Sequence, residues 1–320
     1  MVLLLQYTLI FASVLILVAL GGCFAEHSGV INLGLEGIMI MGALGGALAM
    51  RYISPNVPAI VMILGVLAIS ALVGMIYSCL LAVACINFKA DQTLVGTALN
   101  LLGTAGATVI VKAINTAANP DDVSSIVQYA GAKKAFTVNL GSFEFSWFML
   151  VTALLLAASY VLLYKTRFGL RLMACGEHPQ AADSVGINVY KMRWAGVLIS
   201  GFLAGIGGFA YIVPAVQTWN FEVGVAGMGF LALAVMIFGN WTPGDIAVSA
   251  LLFGLFKCIA AAYSSIDLNG DGVYWLAEIG IPSHIYRLLP YLITLIVLAF
   301  TSKRSRVPKA EGIPYDKGAR

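Results

Sequence analysis

Long apolar runs separated by short polar segments set the pattern of this chain. About 20 apolar residues cross the hydrocarbon core of a bilayer, so these runs predict membrane-spanning helices. The predicted spans are Val2–Gly22, Ile31–Met50, Val57–Ile86, Thr93–Val111, Phe145–Tyr164, Trp194–Val213, Ala247–Ser264 and Leu288–Phe300 with its flanks. Gly229–Gly239 is apolar but too short to cross without its flanking residues. The pattern predicts an all-α, polytopic transmembrane helical bundle of about eight to ten spans.

The amino-acid composition is typical of an integral membrane protein. Hydrophobic residues make up 60% of the 320 positions and charged residues only 10%, and the mean hydropathy is +0.93. Soluble domains carry about 25% charged residues. Of the 18 Lys and Arg residues, five lie in Lys165–Arg193 and six lie after Thr301. This clustering predicts membrane topology rather than nucleic-acid binding.

The basic clusters also predict the sidedness of the chain. Loops rich in Lys and Arg stay on the cytoplasmic side, so Lys165–Arg193 and the tail after Thr301 are predicted to be cytoplasmic. Asn115–Ser142 and Ser265–Pro282 are predicted to lie outside, as is Met1 if every run crosses once. The apolar N-terminus lacks a basic segment, which favours a retained first span over a cleaved signal peptide.

The polar stretch between the fifth and sixth predicted spans carries the local signals of a short helix. Pro179 suits the first turn of a helix, where its missing N–H costs nothing. Gln180–Val185 can continue that helix, and Gly186 can end it in a left-handed cap. A helix this short is not stable alone, so another element must hold it. The alternative is a solvated loop that contains one helical turn.

The same stretch resembles a segment of a known transporter family. Residues 167–193 read RFGLRLMACGEHPQAADSVGINVYKMR and resemble the cytoplasmic coupling loop of ABC importer permeases of the sugar and nucleoside branch. In that family the loop usually reads Gly-Glu-Asn-Pro-x-Ala-Ala and then Gly-Ile, and it docks into a groove on the ATPase subunit. His178 stands here where Asn is usual. Four further blocks fit, at Gly29–Ala43, Gln92–Gly106, Gly229–Pro243 and Pro308–Gly318.

The resemblance implies a type II ABC importer permease, with a permease domain over 1–302, a coupling loop at 165–193 and a cytoplasmic tail over 303–320. It implies a transport subunit of the cytoplasmic membrane, not an enzyme, similar most of all to nucleoside permeases. The implied partners are ATPase subunits that bind ATP and Mg²⁺, a second permease (homologous or identical) and an extracytoplasmic binding protein. No cofactor and no nucleic acid are expected on this chain. The implied coupling residues are Arg171, Gly176, Glu177, Pro179, Ala181, Ala182, Gly186 and Ile187.

Two segments, Gly29–Gly46 and Gly224–Gly244, depart from plain apolar helix and hold corresponding positions in the two halves of the chain. Paired interrupted segments of this kind point to a substrate site near the middle of the membrane. The alternative is close helix packing, because small residues at short spacing let backbones approach. The pairs Gly42 with Gly46 and Gly201 with Gly205 fit that alternative.

Glu36 is the most informative residue for substrate binding. A carboxylate within a membrane run is costly unless it is paired or hydrated, and it is a functional hypothesis by default. It can accept hydrogen bonds from sugar hydroxyls or base N–H groups. Alternatively it pairs internally or caps a helix break through Asn32 or a backbone amide. Lys257 is a candidate cationic partner.

Asn32, Asn100 and Phe230 complete the candidate substrate-binding set. The two amides both donate and accept hydrogen bonds, which suits a nucleobase edge or a ribose, although bonds between helices are their commoner use. Phe230 and also Trp219 are candidates for stacking on a base. Aromatic residues near span ends more often form the interfacial belt.

Other motifs exclude more than they assign. Asp267–Glu278 satisfies the EF-hand calcium pattern, but Asp, Asn and Gly also form ordinary turns, and no metal is assigned. The five scattered cysteines support neither a disulfide framework nor a zinc site. The sequence lacks Gly-x-x-x-x-Gly-Lys-Ser/Thr, so it cannot supply an ATP site itself. His27, His178 and His284 have no evident nucleophile beside them.

Three alternative functions remain at this point. The first is a permease of the same branch for simple sugars, such as ribose or galactose, or for riboflavin. The second is an ion-coupled secondary transporter that needs no ATPase. The third is a membrane-embedded enzyme, which the lack of a catalytic set disfavours.

Overall fold

The structure is a computed structural model that describes residues 2–53, 57–129, 136–141, 143–215, 218–264, 278, 280–301 and 306–318. In chain order its helices are α1 (Val2–His27), α2 (Leu35–Tyr52), α3 (Ala59–Ala82), α4 (Gln92–Ala118), α5 (Trp147–Lys165), α6 (Arg167–Glu177), α7 (Pro179–Ser184), α8 (Val189–Ala215), α9 (Met228–Phe238), α10 (Pro243–Ala262) and α11 (Ser283–Thr301). Its short strands are β1 (Ile126–Gln128), β2 (Thr137–Leu140), β3 (Phe143–Ser146) and β4 (Thr218–Asn220).

The predicted polytopic helical bundle is confirmed. Within the described ranges, the helices long and apolar enough to cross a membrane are α1, α3 with the π-helical turn after it, α4, α5, α8 and α10. α2 begins only at Leu35, because Gly29 has a φ of +89° and the residues after it are not helical. α9 is the short apolar segment found in the sequence. The predicted total of about eight to ten crossings stays a prediction.

Sequence analysis does not predict the strands. Of these, β1, β2 and β3 lie between α4 and α5, and β4 lies between α8 and α9. β1 pairs antiparallel with β4, and β2 pairs antiparallel with β3. Near the start of α1, the Gln6 side chain donates a hydrogen bond to Glu144 of β3 (3.3 Å). At the other end of α1, His27 lies against Gly176 of α6. The chain start and α6 therefore lie at opposite ends of α1, as the predicted sidedness requires.

α1 and α8 form the centre of the bundle. α8 packs against α1, α2 and α3. In the apolar stretch of α8, 78% of the residues are buried. The corresponding share is 22% in α5 and 28% in α4. The outer helices expose apolar side chains, which suits lipid because the tails are as apolar as the side chains themselves.

Small residues let α2, α3 and α8 approach closely. A Cβ on Gly42 of α2 would overlap the backbone of Gly205 in α8, and one on Gly74 of α3 would lie 2.8 Å from the Gly205 Cα. The Ser70 hydroxyl donates to the carbonyl oxygens of Gly42 or Gly205, each at 2.8 Å. Gly46 similarly lies against the ring of Phe209. These glycines therefore serve close helix packing.

Replacing Gly42 with valine should destabilise the bundle. The added side chain would push α2 from α8, and overpacking of this kind costs about 1–3 kcal/mol. The matched control is Gly65→Val in α3, where a Cβ meets nothing within 4 Å. Thermal unfolding in detergent should show a lower midpoint for Gly42→Val than for Gly65→Val. Equal midpoints would contradict the packing assigned to Gly42.

Candidate functional site

The starts of α2 and α9 meet inside the bundle at one carboxylate. Glu36, in the first turn of α2, accepts hydrogen bonds from the backbone N–H groups of Gly227 (2.8 Å) and Gly229 (2.6 Å). The start of a helix has unpaired donors and a partial positive charge, both of which a carboxylate satisfies. Gly227 has a φ of +73°, and a Cβ on Gly229 would lie 2.5 Å from the Glu36 nitrogen. We call this contact the Glu36 joint.

The Glu36 joint brings the two glycine-rich segments together. Glu36 belongs to the first segment, and Gly227 and Gly229 belong to the second. The carboxylate thus has the capping role that sequence analysis kept as the alternative to substrate contact. The expectation that both segments line a pathway stays a prediction.

The other end of α9 is tied to the end of α1. The Trp241 indole N–H donates a hydrogen bond to the buried Glu26 carboxylate. His27 Nε2 lies 3.1 Å from the Trp241 carbonyl oxygen, and Cys23 Sγ lies 3.2 Å from the same oxygen. α9 therefore runs from the Glu36 joint to the end of the bundle where α6 lies.

Asn100 and Asn32 are also bonded to the interrupted backbone near α2. The Asn100 side-chain oxygen accepts from the Gly37 N–H (2.8 Å), and its amide nitrogen donates to the Leu33 carbonyl (2.8 Å). Asn32 accepts from the Gly34 N–H (3.1 Å) and donates to the Ser200 hydroxyl (2.8 Å). Both side chains are buried, so they satisfy a non-helical backbone within the bundle. Their contact with substrate stays a prediction.

The side chains of the remaining candidates take no part in these hydrogen bonds, although the backbone N–H of Phe230 also faces the Glu36 carboxylate. Phe230, in the first turn of α9, exposes 49% of its surface. Trp219 of β4 packs edge-on against Tyr211, with ring centroids 5.6 Å apart. The charges of Lys257 and Glu36 interact, but no N–O distance between them is within the 4.0 Å of an ion pair. The Lys257 amine is thus available to another group.

The predicted short helix after α6 is confirmed, with the predicted residues at its ends. Pro179 is the first residue of α7, which ends at Ser184. Gly186 has a φ of +83° and donates to the Asp183 carbonyl (2.9 Å), while Ile187 donates to the Ala182 carbonyl (3.0 Å). This pair of bonds is the Schellman motif. The structure therefore favours the helix over the alternative of a solvated loop with one helical turn.

Burial divides the candidate coupling residues into two groups. Gly176, Pro179 and Ala182 are buried, Ile187 is partly buried, and Arg171, Glu177, Ala181 and Gly186 are exposed. Only the exposed group can meet a partner directly, and the buried group holds α7 in place. Val185, which sequence analysis did not select, exposes 74% of its surface at the end of α7. Its apolar side chain beside Asp183 and Ser184 is the feature of the sequence that could have indicated a contact surface.

The C-terminal tail packs onto this end of the bundle. The Ala310 N–H donates to the Gly176 carbonyl of α6 (2.8 Å). The buried Arg193 of α8 donates to the Ile313 carbonyl (2.9 Å). Lys89 and Asp316 form an ion pair at 3.1 Å. The tail therefore clamps α6 to α8, a role that its polar sequence did not reveal.

Two more contacts extend the clamp to α7 and α9. Lys317 lies 3.9 Å from Asp183 of α7. The Arg306 N–H donates to the side-chain oxygen of Asn240, just after α9 (2.7 Å). The tail thus touches α7 and the residues just after α9.

Glu311 is the titratable group at the centre of this clamp. Burial raises the pKa of Glu311 to about 7. Its neighbour Glu26 is also buried, and one Glu311 carboxylate oxygen has no hydrogen-bond partner in the described structure. Protonation removes the cost of a charge in this site.

No metal-binding group of three or more His, Cys, Asp or Glu residues occurs among the described residues. The EF-hand-like Asp267–Glu278 lies outside them except for Glu278. The five cysteines are free thiols.

Comparison with known proteins assigns the family. Residues 4–298 match the family described as "Branched-chain amino acid transport system / permease component". The chain is 38% identical to the "Guanosine ABC transporter permease protein NupQ" of Bacillus subtilis (strain 168), over 98% of this chain and 96% of the relative. It is 38% identical to the "Nucleoside ABC transporter permease protein NupC" of Lactococcus lactis subsp. cremoris, over 97% and 95%.

A third relative has a different description. The chain is 32% identical to the "Putative glucose ABC transporter permease protein TsgC13" of Haloferax volcanii, over 96% of this chain and 95% of the relative. With the six long apolar helices among the described residues, these matches identify a multi-pass protein of the cytoplasmic membrane.

Removing the Glu36 carboxylate should destabilise the protein even without substrate. Glu36→Ala leaves the Gly227 and Gly229 N–H groups unpaired, and each such buried donor costs about 1–3 kcal/mol. Glu36→Gln keeps one acceptor and should cost less. Thermal unfolding in detergent should rank the midpoints as wild type, then Gln, then Ala. Three equal midpoints would show that the joint is not structural.

The tail clamp should weaken as pH rises from about 4.5 to about 7. Over this window Glu311 keeps its proton in the docked tail but has lost it in a free tail. Docking is therefore strongest below about pH 4.5, weakens as pH rises to about 7, and changes little above that. Limited proteolysis of the tail measures this. The cleavage rate of wild type divided by that of Glu311→Gln should rise with pH and then level off. A constant ratio would contradict the assignment.

Proposed function

The chain belongs to the permease-component family of branched-chain amino acid transport systems, and from this membership we propose that it is the membrane subunit of an ATP-driven importer of nucleosides. One observation carries the substrate class: two relatives described as guanosine and nucleoside permeases share 38% of their residues with the chain over nearly its full length. The permease itself is not an enzyme.

We propose that the ATPase subunit contacts the permease at the exposed surface of α7 and moves it there. Glu177, Ala181 and Val185 are exposed on or beside this helix, while Ala182 packs inward. An apolar tip surrounded by polar groups suits a groove on an ATPase subunit. A Schellman cap ends this small helix, and Lys317 of the C-terminal tail lies 3.9 Å from its Asp183.

The proposed mechanism moves this end of the bundle as one body. α6 and α7 are clamped to α8 by the tail, and Trp241 and Asn240 tie the end of α9 to the same region. A push on α7 therefore reaches the Glu36 joint through α9. Alternation between outward and inward access would follow from rocking of these helices against a second permease subunit.

The proposed partners are an ATPase pair on the cytoplasmic side, a second permease (homologous or identical) and a binding protein outside. ATP and Mg²⁺ would bind the ATPase, because this sequence has no Walker A motif. The binding protein would supply most of the affinity. The permease needs only weak contacts, since tight binding would slow release.

A sugar permease is the second candidate, favoured by the 32% identity to the putative glucose permease of Haloferax volcanii. The test is uptake by the assembled transporter in proteoliposomes with guanosine, glucose, ribose and riboflavin. We expect ATP-dependent uptake of guanosine. Uptake of a sugar or riboflavin without any nucleoside would overturn the substrate class, and uptake that needs an ion gradient but no ATP would overturn the transporter class.

Replacing Gly186 with valine should uncouple ATP hydrolysis from transport. A left-handed residue with a side chain costs about 1–2 kcal/mol, and most for β-branched residues, so the cap of α7 would open. Gly186→Asn is the matched control, because Asn tolerates this conformation and a Cβ here meets nothing within 4 Å. Substrate-stimulated ATP turnover should fall in Gly186→Val and persist in Gly186→Asn. Normal stimulation in both would contradict the role of α7.

A further inference from the structure

A cavity of about 380 Å³ lies beside the Glu36 joint and is not lined by any of the four candidate substrate residues. The side chains that line it are Phe11, Tyr211, Ala226, Lys257, Ala260, Ala261 and Tyr291. Its volume is within the range of small-molecule sites, which is about 300–1,000 Å³. Phe11 lies in the first half of α1 and Lys257 near the end of α10. The cavity is therefore in the half of the bundle away from α6 and α7.

The interrupted backbone before α9 forms one wall of this cavity. Ala226 lines it with a φ of +53°, and a Cβ on the adjacent Gly227 would lie 3.1 Å from the Tyr291 hydroxyl oxygen. Irregular backbone at membrane depth is tolerated only where protein buries it or where it lines a cavity. The same turn donates to Glu36 on its other side. Movement of α9 would thus change the cavity directly.

The polar groups in the cavity are unusual for a membrane span. Lys257 carries an ammonium group on α10 that makes no ion pair with a described carboxylate. An ionisable residue in a span is costly and marks a pathway or ligand site by default. Tyr291 adds a hydroxyl and is 44% exposed. The rings of Phe11 and Tyr211, 6.5 Å apart and tilted by 43°, add an aromatic wall.

We propose that this cavity is a nucleoside site of the permease, in which Lys257 donates hydrogen bonds to a carbonyl oxygen of the base. The aromatic rings of Phe11 and Tyr211 would contact the flat base. An ammonium group has three donors and no acceptor, so it suits the O6 and N7 acceptors of guanine and cannot accept from the N6 amino group of adenine. The site therefore favours 6-oxopurine nucleosides over adenosine. This inference rests on the proposed function.

The test compares guanosine and adenosine uptake by the assembled transporter in proteoliposomes. Lys257→Met should lower guanosine uptake by about ten-fold or more and change adenosine uptake far less, so that the preference ratio falls. Lys257→Arg retains the donors and should keep the preference. Lys112→Met is the matched control, because Lys112 pairs with Glu222 and does not line the cavity. The unchanged binding protein makes the change in ratio a property of the permease.

A filled cavity gives an independent test if Lys257→Met fails to fold. Ala261→Phe should block uptake of both nucleosides while the protein still inserts and unfolds at the wild-type temperature. Preserved guanosine preference in Lys257→Met, or normal uptake in Ala261→Phe, would overturn the site and leave the proposed function standing. Wild-type transporter that carries no nucleoside would overturn the proposed function and the site with it.

Discussion

The bond between the Glu36 carboxylate and the start of α9 is the constraint on which the rest of the structure depends. Two helices begin inside the bundle, where water cannot satisfy their first N–H groups. Glu36 accepts from the N–H groups of Gly227 and Gly229 at the start of α9, and Asn100 accepts from that of Gly37 in α2. A non-helical backbone can therefore persist in the interior, and a cavity can form beside it.

The same bond lies between the proposed coupling end of the molecule and the proposed substrate cavity. α9 runs from the Glu36 joint to Trp241, which bonds to Glu26 at the end of α1. The C-terminal tail ties α6, α7 and α8 to this region. A short helix that is held at both ends transmits displacement better than a loop. The proposed coupling surface and the proposed substrate cavity are thus mechanically joined within one chain.

Sequence patterns predicted the parts of this arrangement that depend on local chemistry. Apolar runs predicted the long apolar helices, and Pro179 and Gly186 predicted both ends of α7, because helix ends are determined by neighbouring residues. The contact between Glu36 and Gly229 joins residues 193 positions apart, and no pattern along the chain encodes that pairing. The basic residues of the tail predicted its cytoplasmic side but not its packing, because burial of Glu311 depends on the surface that receives it. Lys257 was noted in the sequence, but its cavity exists only once four helices meet.

The central claim is that the coupling end and the Glu36 joint move as one body. Spin labels at positions 185 and 230, both exposed, report the distance between α7 and the start of α9 in the assembled transporter. The account predicts one distance distribution that is the same with and without a bound ATP analogue. A distribution that shifts between the two states would show that α9 does not carry the motion, and would contradict the account.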